Sequence, residues 1–395
     1  MSPAVLKTTL PVVLPHDYLV PEGFADTARK VWETADPKLS GLIAKHPDKF
    51  PLYTQDGKWL VDGEAWTNWC EGFLGGQLWM LSRRAPDADA RPAFREAAEH
   101  YSRLLEEEQR QHDDTVHDLG FLFWSTYRRW FEATGDSRLN EVLIQAGRTT
   151  ASRYREGGHY MPSFREPASL FIDIMMNIHM AFYAAQQTGD DSLAVAASEH
   201  CLTTRRHLIR GDGSASHEAM FDLENGDFLA QTTQQGFSDS GSWSRGQAWA
   251  LYGFGTVYRF TGDRRFLDVA IATADFWVEK TREDRIPPND WEEPNPTRPY
   301  ESSAAAAAAG GLWQLAGLVD DPARARAYAD HAVQTIEALA SSEFLASPNE
   351  SWEGVLKHGT YHEKKNLGVD ESVMWGDYWF LDTVDTIQTY MESPR

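Results

Sequence analysis

Residues 133–143 read ATGDSRLNEVL, residues 187–197 read QTGDDSLAVAA and residues 260–270 read FTGDRRFLDVA. In each, Gly supplies a left-handed stop for one helix, and the Asp or the following Ser offers an N-cap for the next. Looser copies are RAPDADARPAF around Asp87 and LVDDPARARAY around Asp321. The five aspartates, at 87, 136, 190, 263 and 321, are 49, 54, 73 and 58 residues apart. A spacing near fifty residues marks a repeated helical hairpin.

The stretches between these turns carry helical periodicity of two kinds. Residues 93–108, 191–208 and 322–340 alternate Ala and Leu with charges at a period near 3.6, as outer amphipathic helices do. Residues 170–185, 247–259 and 303–318 are apolar almost all round, which predicts buried inner helices. About twelve helices are expected between residues 25 and 391. One short hairpin, 216–232, is expected to close at Asn225-Gly226. Five turns plus the N-terminal segment suit six hairpins, and two all-α arrangements accommodate them: an open solenoid and a closed (α/α)6 barrel. Closure is preferred, because an open array exposes the apolar flanks of its end hairpins. The expected organisation is an N-terminal extension over 1–24 and one catalytic barrel over 25–395.

Bulk composition narrows the function. The chain has 395 residues, 37 Lys+Arg and 59 Asp+Glu, a formal charge of −22. That balance excludes nucleic acid as a partner, since phosphate contacts require clustered cations. No apolar run is long enough to span a bilayer, and the proline-broken N-terminus is a poor signal peptide. Cys70 and Cys201 form neither a metal cluster nor a disulfide framework, so a reducing, cytoplasmic setting is expected. The histidines are scattered, without HExxH or CxxC, so no metal is expected. Neither GxGxxG nor GxxxxGK[ST] occurs, so nucleotide binding has no support. No cofactor is expected.

Polar residues set within inner helices are the candidates for chemistry. Asp173, in LFIDIMMNIHM, has apolar neighbours on every side, and such a carboxylate must be partnered or protonated. A buried structural Asp explains it equally well. Asp118, in TVHDLGFLFW, opens another aromatic-rich helix, where dipole compensation alone is an adequate reason for it. The two lie about one repeat apart, so a closed ring brings them together as a carboxylate pair, an arrangement suited to acid–base work on sugars. Gln235, Arg245 and Trp249 offer an amide, a cation able to grip a carboxylate, and a stacking face. His217 before the hairpin is ambiguous. Lys364 and Lys365 suit a sulfate or a second sugar, but an exposed basic loop is the preferred reading.

Several of these stretches together resemble a known family. WCEGFLGGQLW, VHDLGF, FIDIMMN, GSWSRGQAWALYGF, ESSAAAAAAGGL, HGTYH and WGDYWFLD occur in order over residues 65–390, and they are similar to motifs of the unsaturated glucuronyl hydrolases of glycoside hydrolase family 88. RGQAWALYGF also resembles the related unsaturated rhamnogalacturonyl hydrolases, which stand as the alternative; a non-catalytic sugar-binding toroid is a further one. The resemblance implies an (α/α)6 barrel without metal or organic cofactor. Its substrate is an oligosaccharide, of glycosaminoglycan type, bearing the Δ4,5-unsaturated uronate left by a polysaccharide lyase. The reaction implied is hydration of the C4=C5 bond, followed by collapse of the hemiketal. Asp173 matches the general acid/base and Asp118 the assisting carboxylate. His217, Gln235, Arg245, Trp249, Trp69 and Tyr361 match substrate-contacting positions. Leu74 and Cys70 replace an aromatic and a Thr of the early motif, and Gln234 replaces a His. A Trp usual before the second aspartate has Tyr160 or Phe164 in its place.

Overall fold

The computed structural model describes residues 5–61, 65–294 and 300–393. The first four residues of the expected extension and the last two of the chain lie outside that range. In chain order the α-helices are α1 Phe24–Lys45, α2 Glu71–Arg84, α3 Arg91–Glu107, α4 Leu119–Phe123, α5 Tyr127–Thr134, α6 Ser137–Ser152 and α7 His179–Thr188. They continue as α8 Asp191–Leu208, α9 Ser244–Thr261, α10 Arg264–Lys280, α11 Ser302–Ala316, α12 Pro322–Leu339 and α13 Met374–Glu392.

The repeated turns behave as their residues dictate. Gly135, Gly189 and Gly262 adopt φ of 70°, 73° and 64° and end α5, α7 and α9. Asp136, Asp190, Asp263 and Asp321 accept the backbone N–H two residues on and so cap α6, α8, α10 and α12. Each turn joins an inner helix to the outer helix that follows it. The inner ring runs α2, α4/α5, α7, α9, α11, α13, and α13 packs back on α2 to close it. The outer ring is α3, α6, α8, α10 and α12, with α1 as the sixth member, packed on α2, α12 and α13. The fold is an (α/α)6 barrel.

Two elements depart from the periodic reading. The second inner helix breaks after Phe123, giving thirteen helices among the described residues. Ser125 and Thr126 donate their hydroxyls to the carbonyls of Phe121 and Leu122, four residues back, and compete with the helical ladder. The stretch 170–185 is not one helix. Ser169–Phe171 is a strand, Ile172–Met176 a 3₁₀ turn, and only α7 continues as helix. An all-round apolar run does not distinguish a buried strand from a buried helix. Here the strand pairs antiparallel with Glu218–Phe221, which pairs in turn with Phe228–Thr232. The expected hairpin thus forms, turning at Gly226 with φ 78°, and gains a third strand.

This strand and turn set where Asp173 sits. Gly253 of α9 makes room for the turn: a Cβ there would lie 2.6 Å from the Cβ of Met175. Only glycine lets α9 approach the Asp173 turn this closely.

Candidate active site

The N-terminal ends of the inner helices converge on one end of the barrel. There a cavity of about 280 Å³ is lined by Asp118, Asp173, Trp69, Gln235, Arg245 and Tyr361, together with residues described below. Six of the eight sequence-predicted residues therefore meet in one place. Helix N-termini carry partial positive charge, so the ring of them favours an anionic ligand locally, whatever the charge of the whole chain.

Asp118 occupies the N-cap position of α4, yet its side chain caps no backbone N–H. A capping hydrogen bond therefore does not account for its carboxylate, which lines the cavity. Burial, and then the neighbouring Asp173 charge, push its pKa well above the carboxylate range. Asp173 is itself pushed up to about 6 by burial, against opposing contributions from Arg245 and from the Trp249 indole N–H, which donates to it. Both shifts favour the protonated carboxyl, and two neighbouring carboxylates resist joint ionisation.

His217 and Trp249 stand behind Asp173, not on the cavity wall. Trp249 is 1% exposed, packed in tilted contacts between Phe121 and Trp379, so it presents no stacking face. The His217 ring lies between Phe171 and Trp243. Its Nδ1 accepts the backbone N–H of Gln234 at 3.1 Å, which places its proton on Nε2, 3.6 Å from Asp173 Oδ2. Burial lowers the His217 pKa to about 3, so a neutral ring stands beside the carboxylate, beyond hydrogen-bond distance.

Arg245 is almost fully buried between the rings of Trp243 and Trp375, its guanidinium carbon 4.4 and 5.1 Å from their centroids. Nη1 donates to Glu301 (3.1 Å) and to the carbonyl of Thr360 (2.6 Å). Nη2 donates to Gln235 Oε1 (2.6 Å) and to the carbonyl of Tyr361 (2.9 Å). With these donors engaged by the protein, Arg245 does not supply the expected two-pronged grip on a ligand carboxylate. It instead fixes the Gln235 amide with Oε1 inward, leaving the NH₂ group for a ligand. The same bonds hold the strand Gly359–His362, which carries Tyr361. Tyr361 receives the Trp69 indole N–H and, with Trp69 and Trp375, forms an aromatic wall.

Four functional residues escaped the sequence reading. Asn177 lies in the quoted FIDIMMN. Its Oδ1 accepts Phe121 N–H at 2.8 Å and its Nδ2 donates to the Asp173 carbonyl at 3.2 Å. Glu301 opens ESSAAAAAAGGL; it caps α11 at Ala304 and pairs with Arg245 from full burial. A Glu ahead of an Ala-rich helix was the available signal. Glu218 accepts from Ser169, Thr232, Gln234 and Arg165. It thereby holds Gln234 and Arg165 on the cavity wall, and Arg165 is a cation whose side chain is 40% exposed. Of the two residues offered for the missing Trp, Phe164 lines the cavity and stacks on His117 at 5.7 Å. Tyr160 does not: it is buried against Phe221. Lys364 and Lys365 are exposed in a short 3₁₀ turn, and Lys365 reaches the cavity rim.

Known proteins are similar to this chain in sequence and in fold. The sequence profile described as Glycosyl Hydrolase Family 88 matches residues 51–283. An unsaturated glucuronyl hydrolase of Bacillus sp. (strain GL1) is 31% identical over 370 residues, covering 90% of this chain and 96% of its own length. An unsaturated chondroitin disaccharide hydrolase of Streptococcus agalactiae serotype III is 30% identical over 339 residues, 82% of either protein. The crystal structure of the unsaturated glucuronyl hydrolase of Bacillus sp. GL1, responsible for the degradation of glycosaminoglycan, superposes with a TM-score of 0.84 at 28% identity. That match covers 91% of this chain and 97% of the other. The chain is a member of glycosyl hydrolase family 88, and its barrel is that of the family's unsaturated glucuronyl hydrolases.

Proposed function

We propose that this enzyme removes Δ4,5-unsaturated uronate from the non-reducing end of lyase-generated, glycosaminoglycan-type oligosaccharides by hydrating the C4=C5 bond. The observation that carries this reading is the Asp118/Asp173 pair, one buried and one half-buried carboxylate, both with raised pKa values, lining one cavity. The names of the relatives support the substrate class.

In the first step Asp173, protonated, gives its proton to C4. The π pair forms the C4–H bond, and the positive charge developing at C5 is shared with the ring oxygen. Asp173, now a carboxylate, takes a proton from water as the water oxygen bonds to C5. The C5 hemiketal opens to a ketone, and the C1 hemiacetal then expels the saccharide alcohol. The anomeric carbon is not attacked, so the carboxylate spacing that separates retaining from inverting enzymes does not apply.

Asp118 raises the affinity of its neighbour for the proton and accepts from ring hydroxyls. Trp249 orients Asp173 through its indole N–H, and the neutral His217 ring packs beside it without taking its proton. The Gln235 NH₂ group, Arg165 and Lys365 receive the substrate carboxylate, and Trp69, Tyr361 and Phe164 wall the sugars. We place the enzyme in the cytoplasm, a reading supported by two buried cysteine thiols.

The test follows ultraviolet absorbance of the conjugated uronate with purified protein. Unsaturated chondroitin disaccharide is expected to lose that absorbance, faster than a pectin-derived unsaturated disaccharide does. Asp173→Asn is expected to abolish the loss. Absence of turnover on every unsaturated disaccharide, or full activity of Asp173→Asn, would overturn the proposal.

A further inference from the structure

A second and larger cavity, about 570 Å³, lies at the opposite end of the barrel, where the inner helices end. Its size is within the range of about 300–1,000 Å³ usual for small-molecule sites. The packed rings of Phe121, Trp249 and Trp379 separate it from the active site, and the hydration chemistry makes no use of it.

Its lining combines three arginines, two carboxylates, orphaned ring nitrogens and aromatic faces; Glu132 pairs with Arg128 and Asp382 with Arg129, which leaves Arg259 as the arginine without a carboxylate partner among the described residues. Arg259, near the end of α9, donates Nε to the Leu10 carbonyl at 3.0 Å and Nη1 to Gln314 Oε1 at 3.2 Å. Among the described residues no carboxylate lies within ion-pair distance of it. Its neighbour Arg128 is closed on Glu132 at 2.8 Å and reaches the Tyr183 hydroxyl at 3.3 Å. Burial, and repulsion from Arg128, both act against the charge on Arg259. Compensation of the α9 dipole accounts for a cation at this position. It does not account for the nitrogens beside it.

His179 and Trp379 line the same cavity, are 6% and 9% exposed, and each has a ring nitrogen without a hydrogen-bond partner. His179 bonds the Met176 carbonyl, so its proton is on Nδ1 and Nε2 is an acceptor. Trp379 Nε1 is a donor. The faces of Trp124, Tyr252 and Phe260 supply apolar wall. Residues 7–9 of the N-terminal segment cross the mouth, fastened by Leu6 to Phe260, by Leu10 to Arg259 and by Gln186 to Leu6.

An unpaired cation, an orphan acceptor, an orphan donor and aromatic walls describe one kind of ligand: a ring-sized carboxylate rich in hydroxyls. We propose that this cavity is a second binding site, distinct from the catalytic one, for a single sugar acid held by Arg259.

D-Glucuronate is the probe, titrated calorimetrically into the full-length protein carrying Asp173→Asn and Gln235→Ala, with D-glucose as the uncharged control. Saturable glucuronate binding is expected to persist in this active-site variant, with glucose at least about tenfold weaker. Adding Arg259→Gln should weaken glucuronate at least about tenfold, the loss of one charge-assisted contact. Arg128→Gln, which leaves the N-terminal segment fastened, should weaken it in the same direction. Turnover of unsaturated disaccharide by the single Arg259→Gln and Arg128→Gln variants should stay at the level of the unmutated enzyme. The proposal is overturned if the active-site variant binds no glucuronate, if glucose binds equally well, or if Arg259→Gln and Arg128→Gln both leave binding unchanged.

Discussion

The side-chain carbonyl of Asn177 accepts the backbone N–H of Phe121 at 2.8 Å. Phe121 lies three residues beyond Asp118, and the Asn177 amide nitrogen holds the Asp173 carbonyl at 3.2 Å. One side chain thus joins the two segments that carry the carboxylate pair and fixes their separation.

Asn177→Ala leaves the Phe121 N–H buried and unpaired, at a cost of about 1–3 kcal/mol. It also frees the two segments to drift, and displacement of catalytic groups is far more costly to rate than to stability. The expected result is a modest fall in melting temperature with a fall in kcat of ten- to a hundredfold and little change in KM. Parallel loss of stability with unchanged kcat would show that the tie does not position the pair.

The raised pKa of Asp173 has a defined consequence for stability. Its folded pKa, about 6, lies above the unfolded value of 3.8. The folded state therefore favours the proton, and the stability so conferred is complete below 3.8 and lost as pH rises to about 6. Asp173→Asn has no such dependence. Relative to the unmutated protein, the variant should gain on the order of 2–3 kcal/mol between pH 4 and pH 7, and nothing further above. Denaturant melts across that range check it; a difference that stays constant with pH would contradict the assignment.

Gln235→Glu keeps an acceptor for Arg245 but replaces the ligand-facing NH₂ group with an oxygen. A carboxylate there meets the carboxylate of the substrate. KM should rise at least about tenfold, with kcat reduced less, and high salt should recover part of the loss by screening. Steady-state kinetics at two ionic strengths measure it.

Arg245→Lys retains the charge and forfeits the planar fork. A lysine cannot fill the slot between Trp243 and Trp375 while bonding Glu301, Gln235 and two carbonyls. Disrupting this buried pair should cost about 3–5 kcal/mol. The strand carrying Tyr361 loosens with it, so activity should fall even where the variant remains folded. Melting temperature and turnover, measured on the same preparation, separate the two effects.

Much of this was legible in the sequence. The Thr-Gly-Asp turns specified both the helix stop and the following cap through local chemistry alone, and the all-round apolar stretches identified three of the six inner members, α7, α9 and α11. Asp173 and Asp118 stood out because a carboxylate in an apolar run demands an explanation. The sequence was silent where long-range contacts decide. The strand at Ser169–Phe171 exists because Glu218–Phe221 pairs with it, and periodicity does not reveal that partner. Trp249 and Arg245 have the residue types of ligand contacts, yet tertiary packing turned one behind Asp173 and engaged the other with Glu301 and backbone carbonyls. Glu218 and Asn177 act only through partners tens of residues away.

The most direct test of the chemistry is the reaction run in D₂O on an unsaturated chondroitin disaccharide, with the released uronate-derived product examined by nuclear magnetic resonance. Protonation of the double bond by Asp173 predicts deuterium at C4 and loss of ultraviolet absorbance in step with release of the amino sugar. Release of the amino sugar with the C4=C5 bond intact and no deuterium at C4 would contradict it.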